Sequence, residues 1–227
     1  MRTHTTGQES VEMYLKTIAE LSDGRTPVVI ARVAERLGVS PVSANEMMQR
    51  LDAQELITRE PYKGVLLTDH GRYIAHSIIR RQRLWEVFLV EHLKYNWAGA
   101  YEAACRLEHA TSNVLAESLS IFLGTPTHCP HGNPIPAADG SIAFLDGRPL
   151  NTFHTGETGR IQAILPTDTD VFAYLWARHI VPRQMVTVTA VAPLQGPLTL
   201  RVNENEVALG PTIAALVIVE PIPPPTG

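Results

Sequence analysis

Apolar residues at Val11, Tyr14, Leu15, Ile18 and Leu21 repeat with the 3.6-residue period of an amphipathic helix, with Ser10 ahead of them as an N-cap. Asp23-Gly24 marks its end. The helical period returns over residues 29–37, breaks at Gly38-Val39-Ser40 and resumes over residues 41–53. Ser40 offers a capping hydroxyl, and Pro41 suits a first helical position, where the missing N–H costs nothing. Leu56, Ile57 and residues 65–67 then flank the polar tip Tyr62-Lys63-Gly64, which predicts a small β-hairpin. Helix, glycine turn, helix and hairpin, in that order, are the parts of a winged helix-turn-helix.

Residues 70–123 read as three helices: a long one through Ile74, Ile78, Leu84, Val87, Phe88 and Leu93, one over 100–110 and one over 112–123, closed by Gly124. Helices placed after a helix-turn-helix build a dimer interface, because a symmetric dimer reads two half-sites; the alternative is a larger monomeric core. Residues 124–156 are rich in Pro and Gly and predict a connection. Alternating segments at 160–165, 185–191, 198–202, 207–209 and 216–219, interrupted by a helical stretch over 168–178, predict a small β-barrel. The tail PIPPPTG is expected to be loose. The expected fold class is therefore multi-domain and mainly α, divided into residues 1–72, 73–140 and 141–227.

Composition changes this picture little. A chain of 227 residues with 44% hydrophobic and 19% charged residues is ordinary globular material. No apolar run is long enough for a bilayer, and MRTHTTGQES carries no signal region, so the expectation is a cytoplasmic protein with no membrane partner, its Cys105 and Cys129 reduced. The net charge of -4 is uneven: residues 1–110 carry 14 Lys and Arg against 14 Asp and Glu, and the remainder 5 against 9. A neutral front half is compatible with DNA but does not by itself point to it.

The most specific chemical signal is Cys105-x-x-Glu108-His109 on a predicted helix. Positions i, i+3 and i+4 share a face, so thiolate, carboxylate and imidazole can converge on one ion. Met13, on the flank of the first helix, can add a thioether. The alternatives are a core methionine and a buried thiol beside a surface pair. His128-Cys129-Pro130-His131 is a second candidate cluster, against which stands a surface loop that happens to hold two histidines. Enzyme signatures are missing: there is no phosphate loop, nucleophile elbow or His-Glu-x-x-His, and a Cys105–His109 nucleophile pair has no evident orienting group or oxyanion donors.

The segments VEMYLKTIAEL, ARVAERLGVS, LLTDHGR, EAACRLEHATS and HGNPIP, in this order, resemble the diphtheria-toxin-repressor family of iron- and manganese-dependent regulators over essentially the whole chain. The resemblance implies a winged helix-turn-helix, a helical dimerisation domain and a C-terminal SH3-like (FeoA-like) barrel. It implies a metal-dependent repressor of metal-homeostasis genes that binds double-stranded operator DNA as a homodimer, not an enzyme. The other readings are a nucleophile enzyme at Cys105 and a metal-binding interaction protein without DNA binding.

Carried over by position, the resemblance implies a primary metal site at Met13, Cys105, Glu108 and His109. The ancillary site of iron-responsive members is not kept, since Gln82, Tyr101 and Val171 stand where two histidines and a glutamine are expected. A second site of the manganese-responsive kind would use Glu86, Cys129, His131 and Asp168, with Asp170 as the alternative acid. Two ions per subunit follow, Mn²⁺ or Fe²⁺, with Zn²⁺ or Co²⁺ binding in vitro. DNA-contacting positions fall on Ser40, Val42, Ser43, Asn45 and Glu46, with Arg50 and Lys63 suited to phosphates. Glu46 replaces a neutral glutamine and predicts a different operator.

Overall fold

The computed structural model describes residues 3–22 and 24–223, arranged as two compact units. One takes in the chain up to Arg81 together with residues 108–117 and 136–142; the other takes in residues 82–107, 118–135 and 143 onward.

The first unit opens with α1 (Thr3–Leu21). The helix starts earlier than the apolar period predicts, and Ser10 lies inside it rather than capping it. Buried Tyr14, Leu15 and Ile18 fix the register, and the polar turns before them extend it, with Gln8 Nε2 donating to Glu12 Oε1 at 3.5 Å. Asp23 of the expected stop lies outside the described residues, whereas Gly24 takes a positive φ of 77°. Helix α2 (Ile30–Leu37) ends at Gly38, whose φ of 65° closes the turn, and α3 (Pro41–Ala53) follows at once.

Val33, Ala34, Ala44, Met48 and Leu51 face the α1 stripe, so three short helices share one core. Strands β1 (Ile57–Glu60) and β2 (Gly64–Leu67) form the antiparallel hairpin. This is the winged helix-turn-helix that the pattern predicts. Helix α4 (Asp69–Val87) begins where Thr68 Oγ1 accepts from Gly71 N at 3.1 Å, and Gly71 is needed because a Cβ there would stand 1.9 Å from the Leu56 carbonyl oxygen.

Beyond Val87 the helix widens into a π-turn over Phe88–His92 that the sequence does not announce. Helices α5 (Ala100–Glu108) and α6 (Asn113–Phe122) complete the helical part close to the predicted spans. The unit boundary passes through α4, α5 and α6.

In the second unit β3 (Arg148–Pro149), β4 (Thr158–Ile164), β5 (Met185–Val191), β6 (Leu198–Val202), β7 (Asn205–Leu209) and β8 (Val217–Ile222) make a six-stranded antiparallel sheet of order β3-β8-β4-β5-β6-β7. Helices α7 (Thr169–Trp176) and α8 (Pro211–Ala214) join its strands. Register shifts at Ile161/Ala163 and Val188/Ala190 bend the sheet, which buries Ile161, Ile164, Val186, Val188, Leu200 and Val219 with Phe172 and Leu175 of α7. The tail is not loose from its start: Pro221 and Ile222 pair with Gly159 and Thr158, on the edge of β4 opposite the one that β5 occupies. Residues 224–227 lie outside the described residues. Among the described residues no helix is long and apolar enough to cross a membrane.

Candidate metal centre

In the second unit, Glu86 of α4 meets Cys129 and His131 of the following loop, with one ligand atom from each lying within 4.8 Å of the others. All three are buried, at 2%, 5% and 1% exposure. The loop is held by backbone: Cys129 N donates to Asn133 O at 2.9 Å, Gly132 N to Cys129 O at 2.8 Å and Ile164 N to His131 O at 2.8 Å. Asn133 Nδ2 donates to Ile164 O at 2.7 Å. Gly132, at φ 84°, passes so close to β4 that a Cβ would stand 2.0 Å from the Gln162 carbonyl oxygen. The His131 ring lies between Trp97 and Phe172, with centroids at 4.4 and 4.2 Å.

His131 Nδ1 is 2.8 Å from Glu86 Oε2 and Nε2 is 3.0 Å from Trp97 O. Both ring nitrogens thus lie within hydrogen-bond distance of an oxygen acceptor, which fixes the orientation of the ring. Gln82 Nε2 donates to the other Glu86 oxygen at 3.0 Å. Burial pushes the Glu86 carboxyl up, but the hydrogen bond and charge of His131, the Cys129 thiol and the Arg83 guanidinium outweigh it and hold it below the ordinary range. Burial and the Glu86 charge push the Cys129 thiol well above its usual value, so without metal it is protonated. Three buried, convergent donors of sulfur, nitrogen and oxygen type fit a first-row divalent cation.

Asp168 does not join this group. It is exposed, and its Oδ1 accepts from Val171 N at 2.8 Å as the N-cap of α7, a task that holds the carboxylate on its own helix. Asp170 is exposed as well and is not in the group either.

In the first unit, Glu108 ends α5 and His109 follows it. Glu108 is fully buried, and both of its oxygens accept from Lys16 Nζ of α1 at 2.9 Å, an ammonium only 2% exposed. Burial pushes the Glu108 carboxyl up, against the downward pull of Lys16. His109 Nδ1 donates to Glu12 Oε2 at 2.9 Å, and Nε2 lies 3.4 Å from Glu108 Oε1. A carboxylate behind one ring nitrogen orients the other toward a would-be ion. Arg81 Nη2 backs Glu12 at 3.7 Å. Met13 is half-buried on α1 between Glu12 and Lys16; Cys105, which the unit boundary assigns to the second unit, is half-buried, forms no disulfide and lies one turn before Glu108 on α5. The sequence reading missed Glu12 and Lys16. A lysine in the run Tyr14-Leu15-Lys16-Thr17-Ile18, inside an apolar stripe, was the available signal.

On α3 the face opposite Ala44, Met48 and Leu51 exposes Val42, Ser43, Asn45, Glu46 and Arg50. Ser40 caps the helix, accepting from Ser43 N at 3.1 Å, and Asn45 Nδ2 donates to Pro41 O at 3.0 Å. The hairpin hangs from Val28, with Val28 N donating to Val65 O at 2.8 Å and Val65 N to Val28 O at 3.0 Å. Lys63 at its tip is exposed and pairs with Glu60 at 3.1 Å. A cleft between the hairpin and the start of α2 is lined by Ile30, Asn45, Arg59, Tyr62 and Lys63, of which Asn45 and Lys63 are among the DNA-contacting positions expected from sequence.

Residues 8–65 match the family described as iron dependent repressor, N-terminal DNA binding domain; residues 68–137 match iron dependent repressor, metal binding and dimerisation domain; residues 148–221 match the FeoA domain. The chain is 34% identical over 131 residues to the diphtheria toxin repressor of Corynebacterium jeikeium, covering 58% of this chain and 55% of that protein. It is 29% identical over 192 residues to the iron-dependent repressor IdeR of Mycobacterium tuberculosis, covering 79% of this chain and 84% of that protein. Among solved structures, a manganese-dependent transcriptional repressor in complex with manganese superposes with a TM-score of 0.86 at 32% identity, over 93% of this chain and 100% of that one.

Proposed function

We propose, from the premise that this chain belongs to the diphtheria-toxin-repressor family of metal-dependent DNA-binding transcriptional regulators and not to a family of enzymes, that it is a cytoplasmic repressor of metal-homeostasis genes, activated by Mn²⁺ or Fe²⁺. The observation that carries the reading is the buried Glu86–Cys129–His131 group in a chain that also bears a winged helix-turn-helix. Each subunit takes two ions. Glu86, Cys129 and His131 hold one; Met13, Cys105, Glu108 and His109 hold the other, supported by the helical spacing of Cys105 with Glu108 and by Glu12 behind His109. Asp168 is the fourth ligand of the second site in this reading, a carboxylate whose Oδ1 caps α7 at Val171 N.

Bound metal supplies concentrated positive charge and a fixed coordination geometry at each place. The residues do the rest. Glu108 and His109 tie the end of α5 to α1, whose apolar face is part of the helix-turn-helix core, so order at this site is passed to α3 through Leu15 and Ile18. Glu86 and His131 hold the loop against α4, while Gly132 and Asn133 lay it on β4. Whichever ligand state fixes one arrangement more tightly shifts the population toward it.

Ser40, Val42, Ser43, Asn45 and Glu46 face base edges of operator DNA, and Arg50 and Lys63 face phosphates. The division into residues 1–72 for DNA, 73–140 for dimerisation and metal and 141–227 for the FeoA-like domain follows the same assignment. A homodimer is supported by α6, which leaves Val114, Leu115, Ile121 and Phe122 exposed. A mobility shift on the DNA upstream of the protein's own gene, with Mn²⁺, Fe²⁺ or chelator, tests the reading. Retardation is expected with metal only; binding that ignores chelator, or none in any condition, overturns it.

A further inference from the structure

Lys16 is a charged side chain inside an apolar stripe, and its ammonium is 2% exposed. Helical spacing puts Glu12 and Lys16 on one side of α1 at i and i+4, with Met13 three residues before the lysine. The ammonium sits 2.9 Å from both oxygens of Glu108. A carboxylate held in this way is satisfied without any metal. Around it, His109 Nε2 lies 3.4 Å from Oε1, the Glu20 charge acts from α1, and Glu12 is spent on His109 and Arg81. Among the described residues Lys16 is therefore the ammonium bonded to both oxygens of the Glu108 carboxylate.

We infer that Lys16 is the affinity-setting residue of the primary metal centre, an internal cation that holds Glu108 in the metal-free chain and that an arriving divalent ion must displace or share the carboxylate with. The inference rests on the reading of Glu108 as a metal ligand. Two consequences separate it from a purely structural salt bridge. The ammonium stabilises the metal-free chain, since a buried carboxylate without it is uncompensated. The same ammonium repels a divalent ion on Glu108, since like charges at contact distance in a buried site interact strongly. One residue thus acts with opposite sign on the two states, and it selects for ions that bind tightly enough to overcome it.

The test uses the full chain carrying Cys129→Ser, so that Co²⁺–thiolate absorption reports Cys105 alone. Titration of this protein with Co²⁺ should give a thiolate band. Lys16→Met should then bind Co²⁺ about tenfold more tightly or better, and Lys16→Arg, which keeps the charge, should stay close to the parent. In chelator Lys16→Met should melt below the parent; at saturating Co²⁺ the deficit should close. If Lys16→Met does not fold, Lys16→Gln carries the same comparison. Unchanged or weaker Co²⁺ binding in the neutral variant, or an equal melting deficit with and without metal, makes Lys16 structural only and overturns the inference while leaving the metal site standing. Absence of any thiolate band in the parent removes the primary site itself, and the role of Lys16 with it.

Discussion

Replacing His131 by Leu probes the second centre most directly. In the metal-free protein His131 Nδ1 lies 2.8 Å from a Glu86 oxygen, and both residues are buried, at 1% and 2% exposure. Leu fills much of the space between Trp97 and Phe172 but leaves the carboxylate with Gln82, Cys129 and the more distant Arg83 charge. Breaking a buried pair by removing one partner costs about 3–5 kcal/mol. At roughly 2–4 °C per kcal/mol for a chain of this size, melting should fall by about 6–20 °C. Glu86→Leu should cost a similar amount, whereas the double variant leaves neither group unpaired and should cost less than either single variant, down to about zero. Calorimetry in chelator measures this cycle. The same variants titrated with Mn²⁺ should bind one ion per chain where the parent binds two, and should lose the second site's share of metal stabilisation, about 2.7 kcal/mol at a hundredfold excess over Kd. Additivity of the two single variants within about 0.5 kcal/mol would refute the coupled pair, and two bound ions in His131→Leu would refute the metal site.

Three further outcomes follow from the same geometry. Because burial and the Glu86 charge raise the Cys129 thiol, thiolate ligation of a metal here must release its proton; affinity should rise as pH rises through the neutral range, by about a decade per pH unit for each proton lost, and a flat profile would exclude thiolate ligation. Removing the α3 cap with Ser40→Ala should destabilise the first unit by about 1 kcal/mol in thermal melts, and an unchanged melt would mean that the Ser43 N bond contributes nothing. If Arg50 and Lys63 contact phosphates, replacing either by Ala should flatten the slope of log K against log salt by about 0.9. An unaltered slope would take that residue off the backbone.

The helix-turn-helix was legible in sequence because its signals are local. Ser40-Pro41 starts α3, Gly38 closes α2, and the spacing of Ala44, Met48 and Leu51 gives the buried face. The sheet was legible for a similar reason, strand by strand, although β3 is too short to show a period. What escaped was set by distant partners. Lys16 meets Glu108 across 92 residues and Glu12 meets His109 across 97, and no period in either helix encodes the other. Asp168 shows the converse: its position suggested a ligand, whereas a local capping bond to Val171 N took the carboxylate. Cys129 and His131 stood out as a cluster, but their closeness to Glu86 depends on Gly132 and Asn133 laying the loop on β4.

The attachment of the hairpin bears on how a protein of this kind diversifies. The two bonds joining Val28 to Val65 are made by backbone atoms, and the close passage over Val28 is secured by Gly64 alone. The identities of Arg59, Tyr62 and Lys63 are therefore not written into the anchorage. These positions are free to drift under selection for a new promoter, while the scaffold that presents them inherits its geometry unchanged.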